Sequence, residues 1–177
     1  MSSPRALLSL ADGPLDMPDA CKSTNGGVIF SGIRKLELHP NGTCASVKTV
    51  AGLLPDASSP NRSVGFADGP VDTAQFHYVH GVRMQPAAAA GAGGTASRSG
   101  GPASSVLFAI DDNNNRVRKV DLRTGQVTTL AGSGDMGCKD GAGVDATFQA
   151  VGLAVGHDSS LYVADYSNHR IRKLTIS

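Results

Sequence analysis

Basic side chains recur at fixed spacing in this sequence, as Arg34-Lys35, as Arg116 with Arg118-Lys119, and as Arg170 with Arg172-Lys173. Alternate residues of a strand face one way, so on strands Arg116 and Arg118 share a face, as do Arg170 and Arg172. Stacked from unit to unit, they would form a positive stripe for an acidic peptide or for RNA. Arg116, Arg118, Arg170 and Arg172 are therefore the candidate binding residues. The competing use is internal, because Asp111, Asp121 and Asp165 lie close in sequence and offer carboxylates to the same guanidiniums. A net charge of +1 is far from the basic excess of a nucleic-acid binder, which favours internal pairing.

Other reactive types are less organised. His77-x-x-His80, with His39, His157 and His169, supplies imidazoles but no carboxylate at matching spacing, so no metal site is assigned. Asp111-Asp112-Asn113-Asn114 has the composition of a calcium loop without its Asp-x-Asp-x-Asp-Gly order or terminal Glu, and turn chemistry accounts for it. No Gly-x-Ser-x-Gly elbow is present. Cys21, Cys44 and Cys138 are odd in number, far apart and without Cys-x-x-Cys, and are expected to be three ordinary thiols rather than one bridge and a free thiol. No catalytic residue and no cofactor is assigned.

The elements that carry these residues are repeated. Ala67-Asp-Gly-Pro-Val-Asp72 has a near copy in Ala11-Asp-Gly-Pro-Leu-Asp16 and a looser one in Lys139-Asp-Gly-Ala-Gly-Val-Asp145. Ala74-Gln-Phe76 returns as Ala146-Thr-Phe148 at an offset of 72, and Leu107–Val120 returns as Leu161–Leu174 at an offset of 54. Val47-Lys-Thr-Val-Ala-Gly52 returns as Val127-Thr-Thr-Leu-Ala-Gly132. The two offsets differ by 18, the length of the Ala/Gly/Ser/Pro segment 86–103, which reads as a surface loop inserted into the middle copy.

Each unit combines short β-branched runs with Asp/Asn turns at Asp111–Asn115 and Asp165–His169, and a further turn at Gly125. That is a meander of about four strands, the sheet of one propeller blade. Composition agrees: 22 glycines, 9 prolines and only 18% charged residues among 177 describe a turn-rich β protein. No apolar run approaches the ~20 residues that cross a bilayer, so no membrane partner is expected. The first eleven residues fall short of a secretory h-region of ~7–15 residues, and the sequons at Asn41 and Asn61 bear only on a secreted chain. The compartment stays open.

Leu161-Tyr-Val-Ala-Asp-Tyr-Ser-Asn-His-Arg-Ile-Arg-Lys-Leu174, led in by Asp140-Gly141 and Gly152-Leu-Ala-Val155, resembles an NHL repeat. Asp111–Val120 is a second copy with Asn115 in the histidine's place. Phe30-Ser-Gly-Ile-Arg-Lys35 lacks the Asp-Asn turn and marks a degenerate copy. The resemblance implies an all-β chain, a partial β-propeller built of NHL-like four-stranded blades. The expected organisation is a tail (1–10), a degenerate repeat (11–66), a repeat with the low-complexity loop 86–103 (67–132), and a repeat lacking its last strand (133–177).

Propellers usually have ~4–8 blades, so the expectation is a fragment of a larger ring, ahead of associating copies or an open arc. Leu161, Val163, Ile171 and Leu174 are expected to face a missing neighbour, which makes self-association part of the reading. The resemblance further implies a non-enzymatic interaction module that binds a protein or peptide partner. RNA binding through the arginine rows is the alternative. A metal-dependent propeller lyase is remote, since its ligands must converge from several blades.

Overall fold

The structure, a computed structural model, describes residues 6–10 (backbone), 32–54, 64–85, 105–158 and 160–176. The 86–103 loop expected from the sequence lies outside the described residues.

Eleven strands form three antiparallel sheets among the described residues. The first sheet takes β1 (Ala6–Leu10), β2 (Ile33–Leu38) and β3 (Cys44–Ala51) in that order. The middle sheet holds β4 (Gly69–Pro70), β5 (Val79–Met84), β6 (Val106–Asp111), β7 (Arg116–Asp121) and β8 (Gln126–Ala131) in the order β4-β8-β7-β6-β5. The last is ordered β11-β10-β9, from β9 (Ala150–Val155), β10 (Leu161–Asp165) and β11 (Arg170–Leu174). The chain is a partial propeller of blade-like sheets.

Local chemistry sets the hairpins. Asp112–Asn114 and Tyr166–Asn168 each form one 3-10 turn, ended by Asn115 at φ 49° and His169 at φ 53°. Both are left-handed residues, a conformation that Asn and His tolerate better than most side chains. At the next turn, Asp121 Oδ1 accepts the N–H groups of Arg123 and Thr124, and Gly125 takes φ 67°.

Stacking of sheets makes the core. Along β6 the side chains alternate between two apolar clusters. Leu107 and Ala109 join Ile33, Ala51 and Phe76 towards the first sheet, whereas Phe108 and Ile110 join Phe148, Leu153, Leu161 and Val163 towards the last. A strand covered on both faces is apolar throughout, which is why Leu-Phe-Ala-Ile shows no polar alternation. Each large side chain so buried contributes ~1.5–3 kcal/mol.

Three sequence expectations change. Leu161 and Val163 are fully buried against the middle sheet, and Leu174 packs at the edge of the same cluster; of the four, Ile171 is exposed, at 71%. Alternation assigned these residues to faces but did not say which face meets the preceding blade. Ala6–Leu10 is a strand in register with β2, from Ala6 opposite Glu37 to Leu10 opposite Ile33, rather than a tail. Asp12-Gly13 therefore falls between β1 and β2 in chain order, whereas Asp68-Gly69 and Asp140-Gly141 precede the first long strand of their sheets. Finally, Cys44 is disulfide-bonded, and Cys138 is free and exposed. Cysteine spacing without a motif carries no information on pairing.

Gly132 closes the middle blade at φ 99°, and a Cβ there would lie 2.2 Å from the Asn115 carbonyl oxygen. Gly132→Ala is expected to cost at least ~2 kcal/mol in urea unfolding, through overpacking on a backbone atom. Gly125→Asn, at an open left-handed site, is expected to change stability by only ~0.5 kcal/mol.

The turn between β9 and β10 predicts a pH dependence. Lys173 and the N–H and hydroxyl of Ser160 donate to Asp158 and hold its carboxyl at about 2. A depressed carboxylate stabilises the fold above its ordinary range and loses that contribution as pH falls through the folded value. Asp158→Asn is thus expected to lower Tm at pH 7, and the difference from the parent should shrink between about pH 4 and pH 2.

Candidate functional site

Two of the row arginines, Arg118 and Arg172, turn inward. Arg118 donates from Nη1 to Asp111 Oδ2 at 2.6 Å and to the Gln75 carbonyl at 3.0 Å. From Nη2 it donates to Asp68 Oδ1 at 2.7 Å and to the Ala67 carbonyl at 2.8 Å. Asp111 also accepts the His77 N–H and the Asn114 amide, and that same amide reaches the Gly65 carbonyl at 2.8 Å. One strand hairpin thereby grips residues 65–77, which come at least thirty-four positions earlier in the chain. Burial is the largest influence on the Asp111 carboxyl and pushes it above the ordinary aspartate range; Asn114, the His77 N–H and Arg118 pull it down.

The last blade repeats this node partner for partner. Arg172 donates to Asp165 at 2.9 Å, to Asp140 at 2.5 Å, and to the carbonyls of Thr147 and Lys139. Asn168 bridges Asp165 and the Gly137 carbonyl, and the Gln149 N–H donates to Asp165. Every partner sits at the repeat offset found in the sequence.

Arg116 and Arg118 do share a face, with both guanidiniums over the Phe66 ring at 3.9 and 4.9 Å. The row is nonetheless no exposed stripe: the Arg118 side chain is 0% exposed and that of Arg172 is 11%. Arg116 is half-buried, donating to the carbonyls of Asn114 and Ser133, and Arg170 is exposed. Sequence spacing placed carboxylates near in sequence as partners. Asp111 and Asp165 are those partners, but Asp68 and Asp140 come from the repeated Asp-Gly turns and were not linked to the arginines. Nor do the histidines converge: His80 Nδ1 lies 3.6 Å from Asp112, and the His77 ring lies beside Tyr78. Among the described residues no three His, Cys, Asp or Glu side chains are grouped to hold a metal.

The last blade also exposes large apolar side chains, Tyr166 and Ile171. On the last blade, Val151, Ala164, Tyr166 and Ile171 line a shallow groove of about 300 Å³ together with His169, Arg170 and the buried Asp165. Its residues match, at the repeat offset, those that seat Phe148 on the middle blade: Ala164 corresponds to Ile110, His169 to Asn115 and Ile171 to Val117. There, Ile110, Val117 and Ala131 pack with Ala146 and Phe148, and the Ser133 N–H donates to the Ala146 carbonyl at 2.9 Å. The groove is a socket of the kind the middle blade uses to hold a small-x-aromatic segment.

No family model matches the chain. It is 38% identical over 74 residues to NHL repeat-containing protein 2 of Bos taurus, a match covering 40% of this chain and 10% of that protein. It is 36% identical over 72 residues to Protein SUPPRESSOR OF QUENCHING 1, chloroplastic, of Arabidopsis thaliana, covering 40% of this chain and 7% of that one. Among solved structures, an auxiliary nutrient binding protein of Bacteroides ovatus superposes with a TM-score of 0.62 at 22% identity, over 81% of this chain and 32% of that one. One of the same description from Bacteroides thetaiotaomicron gives 0.60 at 21%, over 80% and 32%. The repeat is of the NHL type and the fold is the propeller's. The chain spans about a tenth or less of the length of the relatives it matches by sequence.

Arg118→Met strands a buried carboxylate and is expected to cost ~3–5 kcal/mol in urea unfolding. Adding Asp111→Asn should recover part of the loss, so the double-mutant cycle should show coupling. Arg172→Met should cost less than Arg118→Met, because its partner Asp140 is 95% exposed.

Proposed function

We propose that the chain is a non-enzymatic interaction module that holds a protein or peptide partner. An NHL-type propeller supports a binding role in general terms. The observation that carries the finer reading is the groove on the last blade, an exposed apolar socket built like the one that seats Phe148 on the middle blade. Exposed apolar surface of this kind, rimmed by polar groups, marks protein contact. The partner is therefore a segment with a small residue two positions before an aromatic one, seated on Ala164 and Ile171. Arg118 and Arg172 are engaged inside the blades and Arg116 donates to backbone carbonyls, which leaves Arg170 as the exposed member of the four and weighs against RNA.

Selection of displayed random peptides on the purified chain tests the reading. Enriched peptides are expected to share the small-x-aromatic spacing and to lose at least ~tenfold in affinity on Ile171→Asp, a change at an exposed position. Peptides that bind this variant unchanged contradict the socket. Salt-sensitive RNA retention abolished by charge reversal at Arg116 and Arg170 supports RNA binding instead.

A further inference from the structure

We propose that Asn41 is an N-linked glycosylation site. Its side-chain amide, at the exposed tip of the β2–β3 hairpin, accepts an oligosaccharide from a lipid-pyrophosphate donor in an oxidising secretory lumen.

Two independent observations carry this. The first is Cys44, which is disulfide-bonded and stands three residues beyond Asn41. Disulfides form and persist in oxidising compartments, and an acceptor triplet has meaning only for a chain that enters one. The second is the turn itself. Asn41-Gly42-Thr43 has the acceptor order of asparagine, a residue other than proline, and a hydroxyl residue. Residues 39–43 are all exposed, and the His39 N–H donates to the Thr43 carbonyl at 2.8 Å while the Gly42 N–H donates to the His39 carbonyl at 2.9 Å. Gly42 takes φ 85°, with open space where a side chain would stand. A transferase can therefore approach the tip without opening the sheet.

The asparagine is also prepared for transfer. Thr43 donates twice to Asn41 Oδ1, from its N–H at 3.0 Å and from its hydroxyl at 2.7 Å. Nδ2 has no hydrogen-bond partner among the described residues, so no protein contact must break before it reacts. Hydrogen bonds on the amide oxygen polarise the carboxamide and ease loss of an Nδ2 proton. Nδ2 attacks the anomeric carbon of the donor sugar. The N–C bond forms, the bond from that carbon to the pyrophosphate oxygen breaks, and one amide proton ends on the departing lipid pyrophosphate. Turn chemistry alone does not require the triplet. The corresponding turn of the middle blade is held by Asp121 Oδ1, which accepts the N–H groups of Arg123 and Thr124.

Trypsin cuts after Lys35 and Lys48, so residues 36–48 leave as one peptide that holds both Asn41 and Cys44. The protein is isolated from the cells that make it, free thiols are blocked before reduction, and the peptide is treated with N-glycosidase in heavy-oxygen water. Glycosylated asparagine then becomes labelled aspartate, and an aliquot without enzyme accounts for spontaneous deamidation at Asn-Gly. The expected result is enzyme-dependent label at Asn41 on a peptide whose Cys44 was oxidised. A bare Asn41 beside an oxidised Cys44 overturns the site, and a free Cys44 thiol overturns the compartment on which it rests. Thr43→Val, which keeps the branched shape without the hydroxyl, should abolish occupancy, and Thr43→Ser should keep it. Occupancy that survives Thr43→Val overturns the role given to the hydroxyl. Neither variant touches the Ile171 groove, so failure here leaves the proposed function standing.

Discussion

A buried carboxylate shared between an arginine, an asparagine and a backbone N–H is the interaction on which the rest of this architecture depends. Asp111 and Arg118 are both fully buried, in contact at 2.6 Å, and apart from the Asn114 amide on Asp111 the other contacts of the node carry the strand hairpin to residues far away in sequence. Two charges in a core cost several kcal/mol each in lost hydration, and the cost is offset only where the remaining donors and acceptors find partners. Here most do. Arg118 reaches two carboxylates and two carbonyls, leaving Nε as its one unpartnered donor. The node therefore specifies geometry: no other register of β6, β7 and the 65–77 segment brings these groups together.

That constraint explains the division of labour among the polar residues. Asp111, Asn114 and Arg118 hold the middle blade, and their counterparts at one offset, Asp165, Asn168 and Arg172, hold the last. With those charges internal, the outward chemistry of the last blade falls to residues outside the node, Tyr166 and Ile171 on its face. The last blade is in this sense polar inside its hairpin and apolar at Tyr166 and Ile171 on its face, unlike the charged stripe that its arginines suggest in sequence.

The legible part of the fold was local. Turn chemistry at Asp111–Asn115 and Asp165–His169 located the hairpins, because the left-handed Asn115 and His169 follow from the residue types placed there. Offsets of 72 and 54 aligned strands that the structure then paired alike. What stayed hidden was non-local. Asp68 is fifty residues from Arg118, and nothing in a strand's alternation tells which face meets the preceding blade, so Leu161 and Val163 were assigned to the open side. The Asp12-Gly13 copy is a short turn motif that carries no strand context of its own. A better guide lay beside it: Leu8-Ser-Leu-Ala-Asp12 has the spacing of Leu161-Tyr-Val-Ala-Asp165, and Ile33-Arg-Lys-Leu36 that of Ile171-Arg-Lys-Leu174.

Native-state amide exchange across the node tests the central claim most directly. If the carboxylate and guanidinium weld segment 65–77 to the sheet, the His77 N–H that donates to Asp111 at 2.7 Å should open only with the whole blade. Its exchange free energy should then equal that of the β6 and β7 core amides and fall with theirs as denaturant is added. Exchange of the His77 and Gly65 amides through local opening, hundreds of times faster than the β6 amides and insensitive to denaturant, would contradict it.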